Sequence, residues 1–207
     1  MRSRSIFSGV ASVESPSRPA RRPTRIAALF ASMAPATVRK TLKELRFSNS
    51  ETEWIALLVE RWQQLGPSMT AAMLKGEEIG AADPWSSDHY PTSAMLRTWA
   101  ASAGRTRLAP LLRLADAFWW AARAAGDPAP YKQTVASVYK RAMRVAYKDP
   151  IAISDLAIDG TDLEKLGISG PAIGATLRKL LAAVITDPRV NTNEQLVDLA
   201  KKLDGSG

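Results

Sequence analysis

The chain has 207 residues, with 28 Lys and Arg against 20 Asp and Glu, one His and no Cys, for a formal charge of +8. The lack of Cys excludes disulfides, thiolate-held iron–sulfur clusters and Cys-ligated zinc, and the single His89 excludes a two-His metal site. No run approaches the ~18 uncharged apolar residues of a membrane span, while a hydrophobic content of 46% is that of an ordinary globular core.

The charge is uneven. Residues 1–25 hold Arg2, Arg4, Arg18, Arg21, Arg22 and Arg25 against Glu14 alone, with many Ser and Pro and little periodicity. Residues 1–22 read as a disordered basic arm. An Arg- and Ser-rich, acid-poor start is also the composition of an organelle transit peptide, but no amphipathic helix accompanies it here. An unnatural leader ahead of the interior of a longer gene is a further reading. A basic protein of this kind points to a phosphate-rich partner.

From Pro23 onward the apolar spacing is close to 3.6 residues. Ile26, Leu29, Phe30 and Met33 mark a short helix, and Pro35 opens the next, with Val38, Leu42 and Leu45 on one face. Ser48 to Glu51 supply a cap and capping box. The helix after them carries Trp54, Ile55, Leu58 and Trp62, and Gly66-Pro67 is expected to stop it. A weaker helix covers about 68–78, and residues 79–91, with Pro84, Trp85, His89 and Pro91, read as a loop. Helices then follow over about 92–102, 108–125 and 131–147. Trp54, Trp62, Trp119 and Trp120 sit at helical spacing among apolar residues and read as core. No stretch alternates as a strand would, and residues 151–158 are the one ambiguous piece.

The last sixty residues hold the most specific pattern. Asp159-Gly-Thr-Asp162 caps a short helix containing Leu163 and Leu166, Gly167 suits the left-handed position after it, and Gly170-Pro171 opens a long helix with Leu177, Leu180, Leu181, Val184 and Ile185. Asn191 to Glu194 cap a final helix with Leu196, Leu199 and Leu203. This is a helix–hairpin–helix-like arrangement. Free amides at the start of the long helix, with no side chain at Gly170 or Gly174, can approach a phosphate closely, and Arg178 and Lys179 can bind its neighbours. Equally, the glycines can simply permit a tight turn between helices. Upstream, Lys140, Arg144 and Lys148 recur every four residues with Arg141 beside them, as a basic stripe or a solvated outer face. Arg105, Arg107 and Arg113 form a weaker cluster.

The string Asp-Leu-Ala-Ile-Asp-Gly-Thr-Asp-Leu-Glu-Lys-Leu-Gly-Ile-Ser-Gly-Pro-Ala-Ile-Gly over 155–174 resembles the C-terminal region of bacterial CCA-adding tRNA nucleotidyltransferases of the poly(A) polymerase family. Leu177, Leu180-Leu181, Val184, Asp187-Pro188 and Asn191-Thr192 continue it, and Leu42 to Glu51 is similar to a stretch of the family's helical body. The resemblance covers about 24–66 and 105–203. It implies a curved row of helices that holds tRNA by shape and phosphates for 3′-end maturation. That family carries catalysis in an N-terminal head with an Asp-x-Asp pair for magnesium, and no Asp-x-Asp pair occurs in this chain. A two-metal mechanism needs such clustered carboxylates.

The expectation is therefore an all-α protein with a basic arm (1–22), a helical body (23–149) and a small C-terminal helical domain (150–207). It is expected to bind tRNA through Gly167, Ser169, Gly170, Gly174, Arg178 and Lys179, and through Lys140, Arg141, Arg144 and Lys148. No catalytic or metal-holding residue is expected in the chain, which by itself should be inactive. Magnesium and CTP or ATP would come only with the missing head, which a separate gene could encode, and the setting would be cytoplasmic. The alternatives are a non-catalytic interaction protein, a split or decayed remnant packing on a partner polypeptide, and DNA binding through the hairpin.

Overall fold

The structure, a computed structural model, describes residues 21–79 and 90–204. Among them the chain forms nine α-helices and no strand: α1 (Arg21–Leu29), α2 (Pro35–Glu44), α3 (Asn49–Ile79), α4 (Ser93–Ala103), α5 (Arg105–Ala125), α6 (Lys132–Lys148), α7 (Gly160–Lys165), α8 (Pro171–Thr186) and α9 (Asn193–Asp204). Short 3₁₀ turns occupy Ile153–Asp155 and Pro188–Val190. The fold is all-α. Most of the basic arm, 1–20, and most of the loop, 80–89, lie outside the described residues. Arg21 and Arg22, assigned by sequence to the arm, instead begin α1. Arg22 meets Glu51 at 3.5 Å and covers the Phe47 ring at 5.4 Å, which draws the helix start back past Pro23.

In the body, α5 is the central element. It packs against α1, α3, α4 and α6, and buries Leu108, Leu111, Leu112, Leu114 and Trp119. Its start lies three residues ahead of the expected Leu108, so Pro110 falls inside the helix.

The expected stop at Gly66-Pro67 is the main correction. α3 continues through it for 31 residues. A proline inside a helix removes one backbone hydrogen bond and costs about 3 kcal/mol. Tertiary contacts concentrated at that point outweigh the cost. Ile55, Leu58 and Val59 before the proline and Met69, Ala72 and Met73 after it are buried in one core. The Trp119 indole donates to Thr70 Oγ1 (2.8 Å), and that hydroxyl donates to the Gly66 carbonyl (2.8 Å). Trp62 stacks on Phe118 with ring centroids 4.9 Å apart. Gln63 Nε2 donates to the carbonyls of Ala31 and Met33. Apart from the Thr70–Gly66 bond within the helix, these contacts depend on partners distant in sequence.

Trp119 is buried, and Trp54 and Trp62 are half-buried against the same core. At the start of α3, Ser48 Oγ accepts from the Glu51 amide (3.2 Å), and Glu51 Oε2 accepts in return from the Ser48 amide (3.4 Å).

The tail has a second, separate core of Ile158, Leu163, Ile168, Leu180, Val184, Leu196 and Ala200. It is wholly aliphatic: residues 150–207 contain no Phe, Trp or Tyr. α8 runs along this core with α7 and α9 against it.

Candidate nucleic-acid interface

Local rules shape the turn between α7 and α8. Asp159 Oδ1 accepts from the amides of Thr161 (2.8 Å) and Asp162 (3.2 Å), and Asp162 Oδ2 accepts from the Asp159 amide (3.2 Å). The capping box orients α7. Beyond Lys165 the Gly167 amide donates to the Glu164 carbonyl (2.9 Å) and the Ile168 amide to the Leu163 carbonyl (3.1 Å). This hydrogen-bond pattern needs a left-handed residue, and Gly167 has φ +88°. Ile168 is then buried, the chain turns at Gly170 (φ +58°), and Pro171 occupies the first position of α8.

The expected contact residues Gly167, Ser169, Gly170, Arg178 and Lys179 are all exposed. The amides of Gly170 and Ala172 meet no acceptor among the described residues. The two helix glycines differ in what they do. Nothing lies within 4 Å of where a Gly170 Cβ would stand, so its backbone conformation is what requires glycine. At Gly174 the ordinary helix leaves room that the Arg178 guanidinium occupies, Nη1 lying 3.5 Å from the Cβ position. Arg178 thus folds back one turn and carries its charge toward the amino end of α8. Spacing alone had placed it a turn further along.

On α6, Lys140, Arg144 and Lys148 are exposed along one side. Arg141 does not join them. It is 6% exposed, and its Nη2 donates to the Pro91 carbonyl at 2.7 Å. Burial holds its guanidinium below its usual pKa. One step round the helix, about 100°, carries a residue from the outer face to the seam with α4. Arg105 and Arg113, from the weaker cluster, are also structural: Arg113 is 3% exposed, and Arg105 braces the junction between body and tail. Asp116 and Glu60 pair with Arg123 (3.9 Å) and Arg39 (3.8 Å).

The structure does not merge the two basic patches. Asp149, next to Lys148, shares Arg97 with the carboxyl end of α8, whereas Gly170 stands at its amino end, about 22 Å away at 1.5 Å per residue.

Arg97 escaped the sequence reading. The available signal was a lone charge between Leu96 and Trp99 on an apolar helix.

Comparison with protein-family models, with curated proteins and with solved structures gives no match. Among the described residues no group of three His, Cys, Asp or Glu side chains is placed to hold a metal ion. No described helix is long and apolar enough to cross a membrane.

Proposed function

We propose that this chain holds tRNA through its phosphates, as the body and tail portion of a CCA-adding nucleotidyltransferase. The observation that carries the reading is the amino end of α8. The turn between α7 and α8 leaves exposed amides there, and Arg178 folds back over Gly174 toward them. A helix amino end favours anions through its dipole and its unbonded amides, and a guanidinium adds a fork that matches phosphate oxygens. The exposed stripe Lys140, Arg144 and Lys148 supports it as a second phosphate-binding row. Two rows about a helix length apart suit a long, rigid duplex arm held by shape. Phosphate contacts carry no base information, so different tRNAs should bind alike.

The test is a titration with tRNA at several salt concentrations. Arg178→Ala with Lys179→Ala should lower the slope of log affinity against log salt by roughly one to two units, near one per lost phosphate contact. If affinity and slope stay unchanged both in this variant and in Lys140→Ala/Arg144→Ala/Lys148→Ala, the reading fails.

A second reading, docking on a partner polypeptide, is favoured by one feature. An open, mainly apolar groove of about 580 Å³ follows α3, lined by Trp62, Gly66, Pro67, Thr70, Ala71 and Leu74 with Gln63 at its side. Pulldown of the chain by a separately expressed head, without any tRNA dependence, would support this reading over the first.

A further inference from the structure

Two helix carboxyl ends converge between body and tail. α6 ends at Lys148 and α8 at Thr186, and each brings last-turn carbonyls that lack donors within their own helix. These are the negative ends of the helix dipoles, and Asp149 and Asp155 add two carboxylates beside them. Left alone, such a cluster would hold the two regions apart.

Two body arginines neutralise it. Arg97, on α4 and only 7% exposed, donates from Nε to the Ile185 carbonyl (2.6 Å) and from Nη2 to the Thr186 carbonyl (3.1 Å). Its Nη1 donates to Asp149 Oδ2 (3.1 Å). Arg105, the first residue of α5, donates from Nη1 to the Ala146 carbonyl (2.6 Å), from Nη2 to the Asp149 carbonyl (3.4 Å), and pairs with Asp155. Asp155 Oδ2 also accepts from the amides of Ile151 (2.9 Å) and Ala152 (2.8 Å). Body and tail also touch directly, where α8 lies against α4, but their two buried cores stay separate. The body core ends at Ile151, the tail core begins with Leu156 and Ile158, and no residue belongs to both.

We propose that Arg97 and Arg105 form a detachable clasp that sets the orientation of the tail on the body, with the α4–α8 contact too small to hold it by itself. With the clasp removed, the tail swings about the connector at 149–157 while both cores stay folded. A cleft of about 260 Å³ beside Arg97, also lined by Ser93, Arg141, Arg144 and Asp149, is a poorer anion site than its arginines suggest. The three Arg97 nitrogens are already engaged, and the helix carboxyl ends repel a further negative charge.

The chain has no Cys, so a spin-label pair at Lys43→Cys on α2 and Lys201→Cys on α9 reports the body–tail distance without background. In Arg97→Met/Arg105→Met the distribution should broaden and shift to longer distance, with helical circular dichroism retained. Arg97→Lys keeps the charge but loses the planar fork, and should broaden it less. An unchanged distribution in the double variant would overturn the proposal, since apolar contact would then suffice to dock the tail. Loss of the tail's amide protection in both variants would overturn it too, because the clasp would then belong to the fold of the tail.

Discussion

Body and tail bury very different amounts of apolar surface. Among the described residues, twenty-six buried residues knit the body core, whereas the tail has seven. The body also takes polar groups inside, namely Thr24, Thr52, Arg97, Arg113, Asp116 and Arg141, while the buried residues among the described ones of the tail are all apolar. Correspondingly, the tail relies on local devices: a capping box at Asp159, a left-handed Gly167, a second at Gly170, and Asn191 bonding back to the Asp155 carbonyl (2.9 Å) and the Ala157 amide (2.9 Å). A small core leaves little free energy to absorb a misplaced turn, so turn chemistry carries more of the specification. A large core can hold a helix straight through a proline.

Three changes should break or sharpen that contrast. The largest effect is expected from truncating a core leucine in each region. Leu180→Ala and Leu111→Ala should each cost about 2–5 kcal/mol. In the tail this loss should melt α7 to α9 alone, with amide exchange there becoming fast while the body stays protected. Leu111→Ala should lower the body transition. A single transition shared by both variants would show the two regions to be one cooperative unit.

Smaller effects should distinguish why each region uses glycine. At Gly76 a Cβ would stand 2.5 Å from the Tyr90 carbonyl oxygen, a backbone atom with little freedom to move. Gly76→Ala should destabilise the body by about 1–3 kcal/mol through overpacking. Around Gly167 there is space, but the positive φ is unfavourable for any side chain, so Gly167→Ala should cost about 1 kcal/mol in the tail transition only. Thermal melts followed by region-specific amide exchange compare the two.

The third change is acid. Burial pushes the Asp155 carboxyl up, but the amides of Ile151 and Ala152 and the Arg105 guanidinium outweigh it and hold the group below the usual carboxylate range. The hydrogen bond from Lys165 lowers Asp162, and that from Arg189 lowers Asp187. A group whose folded pKa is depressed stabilises the fold above its unfolded value, and that contribution disappears as pH falls through the folded value. All three sit in the tail or at the junction, so acidification below about pH 4 should loosen the tail before the body. Body and tail amides losing protection at the same pH would contradict this.

The legible parts of the chain follow the same divide. Asp159, Asp162, Gly167 and Pro171 act on neighbours within a few residues, so their spacing alone announces the turn they make. Gly66-Pro67 announces a helix end by the same local logic, and Trp119, Phe118 and the Ala31 carbonyl overrule it from other helices. Arg141 stands next to Lys140 in sequence, yet it points inward, where the Pro91 carbonyl just ahead of α4 accepts from its Nη2. Arg178 is exposed, but its fold-back over Gly174 depends on a rotamer that spacing does not encode. Arg97 acts on carbonyls 88 and 89 residues away, a distance at which no local pattern exists.

The aliphatic core of the tail has an optical consequence. All six tryptophans and all four tyrosines precede residue 150, so intrinsic fluorescence and near-ultraviolet dichroism are signals of the body. The tail has no aromatic reporter of its own, and its melting reaches these spectra only through Trp99 on α4 and Tyr147 at the end of α6. A fluorescence midpoint for this protein is therefore reported by body chromophores, and a tryptophan introduced beside Leu180 would give the tail a signal of its own.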